Sequence, residues 1–150
     1  MNIILNPKQF NMNHVYFSEP IENTIMDESI FIKILYSNEL MTLNGIFTDL
    51  EIKITQKDNY FKKIKFNFDT TQNNEILQKV YKMETDILNK YNSNKTKKRT
   101  IYDSLSTGNM KIFPNIGTEI NKCSNKFILK ISGLWENNHE IGITYKIIIY

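Results

Sequence analysis

The residues with chemistry to offer are lysines set beside aromatic rings on strand-like runs. Phe61, Lys63 and Lys65 share a face of YFKKIKFNF, Phe31 and Lys33 share one of SIFIKILY, and Lys130 and Lys146 fall on two runs near the C-terminus. Residues two apart project from the same face of a strand, so each set points one way. A second cationic cluster lies in NSNKTKKRT, where Lys95, Lys97, Lys98 and Arg99 make the densest positive run. It reads either as a solvated loop or as a phosphate-contacting one. Single-stranded nucleic acid needs this pair of ingredients. Cations hold its backbone, and aromatic faces stack its bases at roughly 1–3 kcal/mol per base. Tyr60 and Tyr102 join Phe61 as stacking candidates. Tyr36 and Trp135 are further candidates for partial exposure, although Trp135 reads first as core because its strand face is apolar.

Other chemistries lack their residues. One cysteine, Cys123, excludes an internal disulfide and suits a reducing compartment. It sits between lysines in NKCSNK, where nearby cations would favour the thiolate somewhat. Two distant histidines, His14 and His139, do not make a zinc-ligand spacing. The glycines are scattered singly, so no phosphate-cradling loop is present, and no acidic cluster offers a calcium or magnesium site. The sequence therefore predicts no cofactor, no metal and no enzymatic activity. One carboxylate stands out. Glu84 falls near the middle of the apolar arc of a predicted helix, where it is expected to pair with a lysine, Arg99 or a tyrosine hydroxyl or to reach the core edge. No partner carboxylate or histidine shares that face, so it does not read as a catalytic acid.

Composition sets the frame for these elements. The chain has 150 residues, 41% apolar and 23% charged, with a net charge of +3, which fits one domain with a real core. Alanine is absent, arginine occurs once, and Ile, Asn and Lys dominate. That bias follows A/T-rich codons, and it lowers the weight of lysine number as a signal. No run approaches the roughly 18 apolar residues of a membrane span and no signal peptide is visible, so a soluble intracellular protein is expected.

Period-2 alternation predicts strands over 29–37, 40–54, 59–68, 127–136 and 140–150. Gly45 inside the second marks a bend. Gln56 to Asn59 reads as a turn. A helix is predicted over 73–91, with Thr70, Thr71 and Asn73 each suitable as N-cap. Residues 1–28 carry possible edge strands at Ile3 to Leu5 and Val15 to Phe17. Residues 101–106 read as a short helix or strand, 110–113 as a short strand, and 121–125 as loop. In the final hairpin a three-residue loop at 137–139 would set Trp135 opposite Ile141, Ile131 opposite Tyr145 and Lys130 opposite Lys146. The predicted fold class is mainly β: an OB-like five-stranded barrel with its helix between strands 3 and 4, an N-terminal extension and a long insertion at 92–126. An α+β sandwich with one helix on an antiparallel sheet is the alternative.

The run LKISGLWENNHEIGITYKI resembles the terminal hairpin of OB-fold single-stranded-DNA-binding proteins of podophage type, which also occur in nucleo-cytoplasmic large DNA viruses. The matching residues are Trp135, Gly142, Ile143, Thr144, Tyr145 and Lys146, and the resemblance covers about a quarter of the chain. The helix EILQKVYKMETDILNKY followed by a basic loop is similar to the viral members, and the A/T-rich signature suits a giant-virus genome. The resemblance implies coating of single-stranded DNA, or else RNA, in replication, recombination or repair. It implies a host-cytoplasmic or viral-factory location and a possible homo-oligomer or viral protein partner. The phage proteins carry an acidic C-terminal tail that recruits partners, whereas this chain ends Lys-Ile-Ile-Ile-Tyr. A viral structural or protein-interaction module on the same scaffold is therefore the second expectation.

Overall fold

The computed structural model describes residues 3–114 and 126–149. Cys123 and the expected 121–125 loop lie outside them. The strands are β1 (Val15–Phe17), β2 (Ile21–Glu22), β3 (Ile30–Ser37), β4 (Thr42–Leu43), β5 (Ile46–Leu50), β6 (Gln56–Tyr60) and β7 (Lys63–Asn67). Helix α1 (Asn74–Lys90) follows, then β8 (Thr96–Lys97), helix α2 (Thr100–Leu105), β9 (Asn109–Ile112), β10 (Phe127–Glu136) and β11 (Glu140–Ile149). The fold is mainly β, with 42% of the described residues in strands and 19% helical, and its larger sheet curls into a half-barrel.

The larger sheet is built on β10. Strand β11 pairs with it along one edge, while the other edge is shared. Residues 127–131 pair with β5 and residues 133–136 with β3. The expected run 40–54 is accordingly two strands and a following extended segment. The chain breaks at Asn44-Gly45, so that β4 stays on β3 while β5 crosses to β10. Gly45 is required there. Its φ is +103°, and a Cβ would stand 2.7 Å from the Ile131 carbonyl oxygen. Strands β1 and β2 extend the sheet beyond β3, and Leu5 makes a single parallel bridge to Thr48.

The predicted third strand is corrected. Residues 56–59, read as a turn, form β6, and the turn falls at Phe61-Lys62, where Lys62 adopts φ 63°. Polar residues can occupy this strand because it is an edge. Asp58 accepts a hydrogen bond from Gln56 Nε2 (2.9 Å) within β6 and one from Asn67 Nδ2 (3.1 Å), which ties β6 to β7. Strands β6, β7 and β9 make a separate three-stranded antiparallel sheet. One cluster of buried side chains nevertheless runs through both sheets and both helices, including Ile34, Phe66, Leu88, Leu105 and Ile131.

The final hairpin matches the expected register in one half only. Lys130 faces Lys146 and Ile131 faces Tyr145, but a bulge between Ile131 and Gly133 sets Trp135 opposite Gly142. Residues 137–139 join the strands as expected, but Glu136 faces Ile141 across them. Asn137 N donates to Glu140 O at 3.0 Å, and the Asn137 side chain accepts from the His139 and Glu140 amides. The extra bulge residue reverses the faces of β10. Leu134, expected on the polar side, is fully buried against the Ile141/Ile143 face, and Trp135 turns outward.

Helix α1 buries Leu77, Val80, Met83, Ile87 and Leu88 as its spacing predicts. Asn73 precedes it without capping it. Its side chain accepts from Lys53 N (2.7 Å) and donates to Lys53 O (3.1 Å) and Asp69 O (2.8 Å), which pins the helix start to the strand-like segment after β5. Tyr36, expected to be partly exposed, is buried, with its hydroxyl bonded to Asn11 N at 3.1 Å.

Candidate functional site

Strand pairing decides which lysines share a surface. On the outer face of the larger sheet three rows follow one another. They are Phe47–Lys130–Lys146, Lys33–Gly133–Thr144 and Phe31–Trp135–Gly142. Two of these rows contain a glycine, and an aromatic ring covers each. A Cβ on Gly133 would stand 2.6 Å from Phe31 Cζ, and one on Gly142 would stand 2.5 Å from Trp135 Cζ2. Phe31 and Trp135 thus lie across bare backbone and stay half-buried beside Lys33, Lys130 and Lys146. Lys130 Nζ stands 5.5 Å from the Phe47 ring centre, a cation–π distance.

The three-stranded sheet presents a second face of the same kind. Asp58, Lys65 and Lys111 form one row and Tyr60 and Lys63 the next. Lys63 Nζ lies 5.3 Å from the Tyr60 ring, and Lys62 Nζ 5.2 Å from Phe61. Phe61 stands at the turn and is 89% exposed. The two faces meet at a groove of about 230 Å³ between the β9 and β11 edges, with Lys111 on one side and Lys146 on the other. Its walls are Leu105, Ile112, Tyr145 and Ile147, and Phe113, 64% exposed, stands at its rim. Beyond Ile141, no strand pairs with this edge of β11 among the described residues.

The 95–99 cluster lies apart, at the Ile141 end of β11, and each cation there has an internal partner. Lys95 Nζ donates to Asn138 O at 3.0 Å, Lys97 Nζ to Asn89 Oδ1, and Lys98 pairs with Glu140 at 3.4 Å. Arg99 Nε donates to Thr85 Oγ1 at 2.9 Å while its guanidinium covers the Tyr81 ring at 4.9 Å. Tyr102 packs edge-on against Tyr81 and is half-buried, so its ring is committed to this cluster.

Glu84 has a structural role of a different kind from those expected. Its Oε2 accepts from Ile101 N (2.9 Å) and its Oε1 from Tyr102 N (3.0 Å), so it caps the first turn of α2. The carboxyl is fully buried. Burial pushes its pKa up, the two amide bonds pull it down, Asp103 pushes it up and Arg99 pulls it down, with a net rise. Helix α2 in turn supplies Ser104 and Leu105 to the groove.

Among the sequence-predicted residues, Lys33, Lys130 and Lys146 share one face, and Phe61, Lys63 and Lys65 belong to the other sheet. Sequence reading did not single out Lys62, Lys111, Phe113 or the Phe31/Trp135 pair as a platform. The available signal for that pair was the two glycines in the final hairpin. Among the described residues no cluster of His, Cys, Asp or Glu could hold a metal ion, and no helix is long and apolar enough to cross a membrane. No protein-family model, curated protein or solved structure matches this chain.

Proposed function

We propose that the protein binds single-stranded nucleic acid on an OB-like scaffold, in the handling of a large DNA virus's genome. The observation that carries the binding is the outer face of the larger sheet. Phe31 and Trp135 are seated on Gly133 and Gly142 in rows next to Lys33, Lys130 and Lys146. Flat rings on bare backbone accept any base, and flanking ammonium groups follow the phosphates without reading sequence. The strand would continue across the groove past Lys146 and Lys111 to Lys65 and Lys63. The curled sheet, and the break at Gly45 that carries the chain from β3 to β10, support the OB-like part. The viral part is supported by the hairpin resemblance and the Ile/Asn/Lys composition.

Trp135 is the chain's single tryptophan, which makes the test direct. Titrating oligo-dT at low salt should quench its fluorescence, and added salt should reverse the quench. An unchanged signal together with no mobility shift at micromolar protein would remove the reading. A second reading, a protein-interaction module, is favoured by the β11 edge, which beyond Ile141 has no strand partner among the described residues. It predicts a co-purifying partner whose association is insensitive to salt.

A further inference from the structure

Two surface patches have opposite charge and similar apolar content. The first is the loop between β2 and β3 with its flanks. Glu19, Glu22, Asp27 and Glu28 are all exposed there, and no lysine or arginine occurs from residue 19 to residue 32. None of the four carboxylates forms an ion pair within the described chain. Among them stand Ile21 and Ile25, the latter 90% exposed. The second patch is the β6–β7 tip, where Phe61 and Tyr60 are flanked by Lys62 and Lys63. Continuing the Ile64–Ile112 register by one residue brings Phe113 beside Lys63.

The patches occupy opposite ends of the molecule. The acidic loop leads into Ile30, which pairs with Glu136 at one end of β10. Phe113 shares a groove with Ile147, Ile148 and Ile149, next to the other end of β10, where Phe127 pairs with Ile149. Ten strand residues separate those ends, about 30 Å at the rise of a β-strand. One chain therefore cannot bring its own two patches together.

We propose that the acidic Ile-rich loop of one copy docks on the basic aromatic tip of a second copy, giving a head-to-tail assembly. Apolar side chains on both patches are removed from water, and the carboxylates meet ammonium groups that have no carboxylate partner among the described residues. Because the two patches differ, the contact is heterologous and leaves one patch free at each end, so the assembly grows with concentration. The inference does not rest on nucleic-acid binding, and it is read without any nucleic acid present.

Sedimentation velocity of the full chain tests it. At about 50 mM salt the weight-average mass should rise with concentration above the 17.8 kDa monomer, and at about 500 mM salt it should fall back. The variant Glu19→Lys/Glu22→Lys/Asp27→Lys has two basic ends, and Lys62→Glu/Lys63→Glu has two acidic ends. Each should stay monomeric by itself, and a one-to-one mixture should regain the wild-type mass. The substituted positions are exposed or half-exposed, and an unchanged thermal midpoint checks the fold of each variant. Phe61→Ser should weaken association without reversing charge. A wild type that is monomeric at every concentration, variants that assemble separately as well as the parent, or a mixture that stays monomeric would overturn the proposal.

Discussion

Two buried polar side chains show how far a single residue's environment decides its worth. Glu84 is fully buried, yet both its oxygens accept amide hydrogens at the start of α2. Replacement by Gln leaves one amide facing an NH2 group and should cost about 1–3 kcal/mol, measured by urea unfolding. The pH dependence has a definite sign. Burial raises the folded pKa above the ordinary value, so the folded state holds the proton more tightly than the unfolded chain does. The stability this confers is complete below the unfolded value and is lost as pH rises through the folded one. The slope of unfolding free energy against pH should therefore be less negative in Glu84→Gln than in the wild type across that window. Thr48 is the opposite case. Its hydroxyl is buried and has no hydrogen-bond partner among the described residues. Thr48→Val removes an unsatisfied group and keeps the shape, so it should raise the unfolding free energy by up to about 1 kcal/mol.

At the scale of elements, the chain uses glycines and a bulge to let strands change partners. Gly45 lets β5 leave β3 and join β10 while its backbone passes the Ile131 carbonyl. Gly45→Ala combines a left-handed φ with a contact to backbone that cannot move aside. It should destabilise by about 1–3 kcal/mol in the same unfolding assay, with no direct effect on the lysine face. The bulge in β10 has a functional consequence. By turning Trp135 outward it transfers the largest ring of the hairpin from the core to the surface that carries Lys130 and Lys146. Gly142→Val would push that ring off its seat. The expected outcome is a shifted Trp135 emission maximum together with weaker oligonucleotide binding. A mutant that keeps both properties would count against the platform.

For the whole molecule the electrostatic account concerns arrangement more than net charge. A formal charge of +3 is modest. The cations at 95–99 have partners within the chain, while Lys33, Lys130, Lys146, Lys111 and Lys65 follow the outer faces of two sheets across one groove. If about three to five of these lysines neutralise phosphates, the log of the binding constant should fall with log salt at a slope of about −2 to −3.5. Lys146→Glu, at the junction of the two faces, should weaken binding and make that slope shallower. Reversal of Lys98 should leave the slope unchanged. It breaks an exposed ion pair with Glu140, which contributes at most about 1 kcal/mol.

Local patterns determined several features. The alternation of Ile30, Ile32 and Ile34 identified the inner face of β3, and the spacing from Leu77 to Leu88 identified that of α1. These readings held because a side chain's direction within one element depends only on the period of that element. The facing of Lys130 and Lys146 also matched, because the bulge between Ile131 and Gly133 offsets the one-residue difference in register at the turn. The strand at 56–60 was not, because a paired edge strand tolerates Gln, Asp and Asn that composition assigns to a turn. Three things were decided only by tertiary structure: the amide partners of Glu84, the face of Trp135 and the meeting of Lys111 with Lys146. Each depends on where a distant segment lies. Helix α2 is 17 residues from Glu84 and β9 is more than 30 from Lys146, and no periodicity within an element carries that information.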